Sequence, residues 1–203
     1  MKTKGEEGSV VREVPGGAQR ILLHACCAPC SGAIVEYLVQ GGVEPVVFFS
    51  NSNIVPRAEY EHRRDECRRY AEHWGIPFVE DAYDHDAWLS AIQGLEDEPE
   101  RGARCLQCFR YRLDRAAAYA AEHGLTVLST TLASSRWKRL DQVGQAGAEA
   151  CADKPEVCWW DRNWRKGGLQ ERRGEIIREQ DFYNQRYCGC EFSMAHLKED
   201  GQP

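Results

Sequence analysis

Residues 20–42 read RILLHACCAPCSGAIVEYLVQGG, and two structural periods meet within them. The apolar run at 21–24 reads as a strand, while 31–40 carries Ile34, Val35 and Leu38 at helical spacing and stops at Gly41-Gly42. A second apolar run opens at Pro45. Strand, helix and strand in that order form a β-α-β unit, which predicts a parallel pair joined by a right-handed crossover. Between the strand and the helix stand Cys26, Cys27 and Cys30, at the turn where α/β proteins commonly place their chemistry.

The same alternation continues outward. Strands are predicted at 45–50, 76–80 and 126–130, with helices from about 57 to 74, ending at Gly75, and from 108 to 123, ending at Gly124. This pattern predicts an α/β fold with a doubly wound parallel sheet. After Ser135 the chain becomes charged, Trp-rich and helical, with no convincing strand, and reads as a helical cap over the carboxyl edge of the sheet. Residues 1–19 are polar and Gly-rich and are expected to form a disordered tail, leaving 20–203 as a single catalytic domain with its sheet core reaching about 135.

Length and composition suit one domain, with 203 residues and 42% hydrophobic content. No charged-then-apolar leader opens the sequence and no run approaches a membrane span, so a soluble cytoplasmic protein is expected. In that reducing compartment, ten cysteines favour metal ligation or catalytic redox chemistry over a structural disulfide framework. Cys67, Cys151 and Cys158 lack close sequence partners and read as packing residues. The formal charge of −6 argues against holding nucleic acid by bulk charge. Locally, Arg136, Lys138, Arg139, Arg162, Arg165, Lys166, Arg172 and Arg173 interleave with Trp137, Trp159, Trp160 and Trp164. That mixture suits phosphates and unstacked RNA bases, and it equally suits a solvated face over core tryptophans.

Three thiol groups carry the chemistry. Adjacent side chains in an extended segment diverge, so Cys26 and Cys27 can meet one object only where the chain bends, and the helix start at Pro29-Ser31 supplies that bend. The helix N-terminus favours thiolate there. Cys105-x-x-Cys108 opens another helix and can face a metal or cluster, giving four or five thiols in all, enough for tetrahedral zinc or for an iron–sulfur cluster. Cys188-Gly189-Cys190 reads either as a strained, easily reduced disulfide or as a pair of ligands to a second metal together with Cys30. A G-x-x-x-x-G-K-[ST] loop, a G-x-G-x-x-G after the first strand and the radical-SAM cysteine spacing are all absent, which disfavours nucleotide-dependent chemistry.

Six blocks then fall in a familiar order: LLHACCAPC at 22–30, FFSNSNIVPRAEY at 48–60, RCLQCFRYRL at 104–113, STTLASSRWK at 129–138, DRNWRKGG at 161–168 and YNQRYCGCEFS at 183–193. Together they resemble the cobalamin-independent epoxyqueuosine reductases, the QueH family. The resemblance implies a Rossmann-like fold of the HUP type and reduction of epoxyqueuosine to queuosine at the wobble position of tRNA. It further implies a 4Fe-4S cluster on Cys26, Cys27, Cys105 and Cys108, with Cys188 and Cys190 redox-active. Ser52 stands where the family usually has Pro, which should leave the 48–60 loop similar in shape but less stiff.

Removing an epoxide oxygen as water takes two electrons and two protons. The expected partners are therefore tRNA carrying epoxyqueuosine and an external electron donor. A Lewis-acidic iron, in the cluster or as an adjacent mononuclear iron on Cys188, Cys190 and Cys30, would polarise the oxygen. Acids inside or beside the blocks are Tyr183, Tyr187, Asp161 and His24, and Cys188, Cys190, Asp161 and Tyr187 are expected at the catalytic centre. Arg136, Lys138, Arg162 and Arg165 are the expected tRNA contacts, with the loop carrying Asn51, Asn53 and Ile54 reading the modified base. A structural zinc protein and a metal-free thiol oxidoreductase are the rival readings.

Overall fold

Ile21, Leu22 and Leu23 are all completely buried, which places their strand in the middle of a sheet covered on both faces. The computed structural model describes residues 7–194. Its sheet has five parallel strands, β1 (Arg20–His24), β2 (Glu44–Phe49), β3 (Phe78–Glu80), β4 (Val127–Thr130) and β5 (Cys158–Trp159), in the order β3-β2-β1-β4-β5. Leu22 pairs with Val46 on one side and Leu128 on the other. The chain thus winds outward from β1 to β3, then returns to build the other half from β4. A crevice opens at the carboxyl ends of β1 and β4, the switch point of a Rossmann-like sheet.

The helices are α1 (Glu7–Glu13), α2 (Ala28–Gln40), α3 (Arg57–Trp74), α4 (His85–Ala91), α5 (Ala103–Glu122), α6 (Leu140–Cys151) and α7 (Leu169–Glu179). Among the described residues, no helix is long and apolar enough to cross a membrane. Ala116, Ala117 and Ala120 give α5 a small, fully buried face next to β1 and β4. α6 packs on α5 and α7 on α2, so the helices expected as a cap flank the domain, with Arg173 of α7 reaching the carboxyl edge. The close approach of α7 is visible at Gly32, where a Cβ would lie 2.9 Å from Ile176. The chain beyond α7 reaches this edge and is tied down where Val55 N–H donates to the Gly189 carbonyl at 2.8 Å.

Two further expectations change. β5 is a strand in a region read as purely helical; it is two residues long, too short for any periodic signal. Cys158 and Trp160 extend its pairing by donating to Thr126 and Leu128 at 2.8 Å each. The expected disordered tail is ordered from Glu7 on, because Val10 and Val14 are buried against the domain, each contributing about 1.5–3 kcal/mol. Val10 fills the space that Gly41 leaves, where a Cβ would sit 2.3 Å from the valine. Residues 1–6 of that expected tail lie outside the described residues.

Candidate active site

β1 ends on His24, which is fully buried. Its Nε2 faces the Ser50 carbonyl at 3.1 Å and must donate, so Nδ1 accepts from Thr130 Oγ1 at 2.7 Å. Burial, and then the charge of Arg112, pull its pKa from 6.5 down to about 3. His24 is therefore neutral and ties the ends of β1, β2 and β4 together, which removes it as an acid. The next residues are clamped from both sides: Asn51 Nδ2 donates to the Ala25 carbonyl at 2.9 Å and Cys26 N–H donates to Thr131 Oγ1 at 3.1 Å. The clamps fix the bend that turns the cysteines into the crevice.

Cys27 is the N-cap of α2 and Cys30 its third residue, with Pro29 between them in the first turn. The Sγ atoms of Cys26, Cys27 and Cys30 all lie within 4.8 Å of one another, and all three residues are buried. Cys26 and Cys27 are 3.8 Å apart at sulfur, close to the edge of a tetrahedron of ~2.3 Å metal–sulfur bonds. Hydrogen bonds from Cys27 and Cys30 hold the Cys26 thiol well below its ordinary range, with Lys138 and Arg112 adding to the effect. The same contact with Cys26 pushes Cys27 up, and Cys30 is pushed up to about 11. Of the three thiols, Cys26 therefore holds its proton least tightly.

Above the trio lies a cavity of about 280 Å³, lined also by Cys188, Tyr187, Arg63, Arg112, Lys138, Arg173 and Arg186, with Glu100 the one acidic side chain. Arg63, 3% exposed, pairs with Glu59 at 2.6 Å and donates to the carbonyls of Cys188 at 3.0 Å and Tyr187 at 3.3 Å. It holds that strap over the cavity. Arg112 donates to the Ser50 carbonyl at 3.1 Å and to Asn51 Oδ1. Burial works against the charge of Lys138, but Cys188, Cys26 and Cys30 outweigh it and raise its pKa. Arg173 Nε is buried with no hydrogen-bond partner among the described residues. A chain of net charge −6 has thus gathered cations around soft sulfur donors, a setting that fits an anionic metal–thiolate group.

Cys105 and Cys108 do not line this cavity. Among the described residues, the trio is the only group of three or more potential ligands whose donor atoms lie within 4.8 Å of one another, the spacing of a single ion's ligands. Cys108 instead sits in a satellite apolar cluster with Trp88 and Ile92, against which Cys190 and Phe192 pack. Burial, with Cys188 adding to it, pushes Cys105 up to about 11 and Cys190 up to about 12. The four sulfurs 105, 108, 188 and 190 therefore form a second electrostatic neighbourhood, linked to the first by Cys188 at the cavity wall. Cys188 and Cys190 are free thiols. Gly189 between them has φ +127°, and a Cβ there would lie 2.9 Å from Ile54 Cγ1.

The other expected site residues separate in the same way. Tyr187 lines the cavity, but its hydroxyl donates to the Val55 carbonyl at 2.7 Å and its pKa is pushed up to about 12 by burial. Asp161 is exposed and lies against Gly144 of α6, away from the cavity lining. Arg162 pairs with Glu13 and covers the rings of Trp164 and Tyr37 at 4.6 and 4.7 Å, which gives it a packing role. Arg165 donates to the carbonyls of Ser135 and Lys138, bracing the loop that carries Arg136 and Lys138. Asn51 and Ile54 line the cavity, whereas Asn53 is buried outside it. Ser52 is pinned rather than loose: it is 1% exposed, and its hydroxyl accepts from Asp84 N–H at 3.1 Å. Arg63 was hidden in the run RRDECRR, which reads as a solvated helix face; Arg112 lay inside the 104–113 block without a separate signal.

A family model described as epoxyqueuosine reductase QueH matches residues 21–196. A Histophilus somni protein named epoxyqueuosine reductase QueH is 46% identical over 182 residues, covering 90% of this chain and 75% of its own. An Acinetobacter baylyi protein of the same name is 45% identical, covering 90% and 84%. One from Thermotoga maritima is 31% identical, covering 88% and 92%. The chain belongs to the epoxyqueuosine reductase QueH family.

Proposed function

We propose that this protein is an epoxyqueuosine reductase acting on the wobble nucleotide of tRNA, the closing step of queuosine formation. The observation that carries the reading is the buried Cys26, Cys27 and Cys30 trio at the sheet's switch point, inside a cationic cavity, in a chain of this family. In the reaction both C–O bonds of the epoxide break and a C=C bond forms between its two carbons. The oxygen takes up two protons and leaves as water. Two electrons come from an external reductant.

We assign a 4Fe-4S cluster to Cys26, Cys27, Cys105 and Cys108, leaving Cys30, Cys188 and Cys190 for a mononuclear iron or, in the case of the last two, a dithiol couple. When bound, such a group supplies single-electron transfer and a Lewis-acidic site. The chain's own residues do the rest. Arg63 and Arg112 fix the cavity walls and its positive potential. His24 is neutral and Tyr187's hydroxyl is committed to Val55, and arginine does not give up its proton. Lys138 is then the proton-bearing cation that can hydrogen-bond to the departing oxygen. The test is anaerobic incubation of metal-loaded protein with reductant and epoxyqueuosine-containing tRNA, followed by mass spectrometry of the nucleosides. Loss of one oxygen to give queuosine is expected; unchanged epoxyqueuosine would overturn the assignment.

A further inference from the structure

Thiols buried beneath a strap of side chains can act on a tRNA nucleotide only if that nucleotide leaves the stack of its loop. RNA-binding proteins hold bases splayed in this way on aromatic or guanidinium planes. Trp137 is 60% exposed, while the other tryptophans of the chain are buried or half-buried. Among the described residues, the one other exposed large apolar side chain is Tyr183, at 39%, immediately before the strap. Trp137 also lines the cavity above the cysteine trio, beside Lys138.

Its backbone is held firmly for so exposed a ring. Arg101 Nε donates to the Trp137 carbonyl at 2.8 Å, and Arg165 donates to the carbonyls of Ser135 and Lys138 on either side. The Arg136 guanidinium lies over the indole, 4.7 Å from the ring centroid. An exposed aromatic plane, a cation on it, and further cations on the cavity wall reproduce the elements of a single-strand binding surface: a stacking face beside groups that meet phosphates.

From these observations we infer that Trp137, flanked by Arg136, is the stacking platform for the base next to the wobble nucleotide when that nucleotide enters the cavity. The inference rests on the reductase reading and assigns the residue that engages the RNA loop. Arg136 meets the adjoining phosphate.

The test uses the full-length protein and a synthetic anticodon stem-loop with guanine at the wobble position, either intact or abasic at the neighbouring position. Trp137→Ala is expected to weaken binding of the intact stem-loop about 10-fold, within the 5- to 100-fold range of base–aromatic stacking, and Trp137→Phe should bind within about 3-fold of the parent. The abasic stem-loop should bind the parent as weakly as Trp137→Ala binds the intact one, and combining the two changes should cost less than about 2-fold more. Fully additive losses would overturn the inference, as would binding by Trp137→Ala within about 2-fold of the parent. Should the Ala variant fail to fold, the abasic arm with the parent decides alone, and a loss under about 2-fold overturns the inference. Failure of the reductase reading shows differently, as a parent protein that binds the stem-loop yet leaves epoxyqueuosine in tRNA unreduced.

Discussion

The two sulfur groups are assembled in opposite ways. Cys26, Cys27 and Cys30 come from one strand-to-helix turn, and their convergence is fixed by clamps from β2 and β4 through Asn51 and Thr131. Cys105, Cys108, Cys188 and Cys190 come from the start of α5 and from an irregular strap; Cys108 and Cys190 meet around Trp88 and Phe192, Cys105 packs on the main core and Cys188 lines the cavity. The first group is close-set, and thiol donors and cations lower the pKa of Cys26 in it; burial raises Cys105, Cys108 and Cys190 in the second. One turn can build a preorganised metal-binding corner, whereas a site drawn from distant segments depends on what each segment packs against.

That contrast can be broken most directly at the ligands. Cys27→Ala is expected to lower bound metal per chain and turnover by more than about 100-fold, beyond the 10- to 100-fold cost of losing a supporting contact. Iron analysis and the reductase assay measure both. The sharper comparison sets Cys30→Ala against Cys105→Ala in anaerobically reconstituted protein. Bleaching by Cys105→Ala, with cluster absorption kept in Cys30→Ala, supports the four-ligand set proposed above. The reverse result would move the cluster wholly onto the trio.

His24 supplies a pH test of the clamp that holds the trio. Its folded pKa, about 3, lies below its ordinary 6.5, so the unfolded chain binds the extra proton between those values. Stability from this group is complete above pH 6.5 and is lost as pH falls toward 3, by up to about 1.4 kcal/mol per pH unit and on the order of 5 kcal/mol in total. Denaturant unfolding across that window should show a steeper acid loss for the parent than for His24→Gln, which lacks the titrating ring. Equal slopes would contradict the buried neutral imidazole.

Smaller effects separate the strap from the packing residues. Gly189→Ala places a side chain at φ +127° against Ile54 and should cost about 1–3 kcal/mol of local order, read as slower turnover with cluster absorption retained. Arg162→Ala should lower the melting temperature through lost contacts with Glu13, Trp164 and Tyr37, while tRNA affinity stays within about 2-fold. A large loss of tRNA affinity would return Arg162 to the RNA surface.

Much of this arrangement was legible in the chain. The apolar run at 21–24 and the Gly41-Gly42 stop define β1 and α2 closely, because a central strand and a helix packed on it leave strong periodic marks. The trio followed from that turn. Other features left no such mark: β5 is held by two backbone pairings at an edge, and α1 by two valines in an otherwise polar segment. At the site, spacing showed that three cysteine groups exist but not which of them meet. Cys108 is turned into the Trp88 cluster by packing that no local pattern encodes, and Arg162 and Arg165 are consumed by carbonyls and rings although they read as free cations.

The central claim is that the cysteine corner at β1 and α2 is where epoxyqueuosine is reduced. Its most direct measurement is single-turnover conversion of epoxyqueuosine tRNA by the parent and by Cys26→Ala, each reconstituted with iron and sulfide and scored by nucleoside mass spectrometry. The account predicts queuosine from the parent and none above background from Cys26→Ala. Queuosine formed by Cys26→Ala at the parent's rate would contradict it.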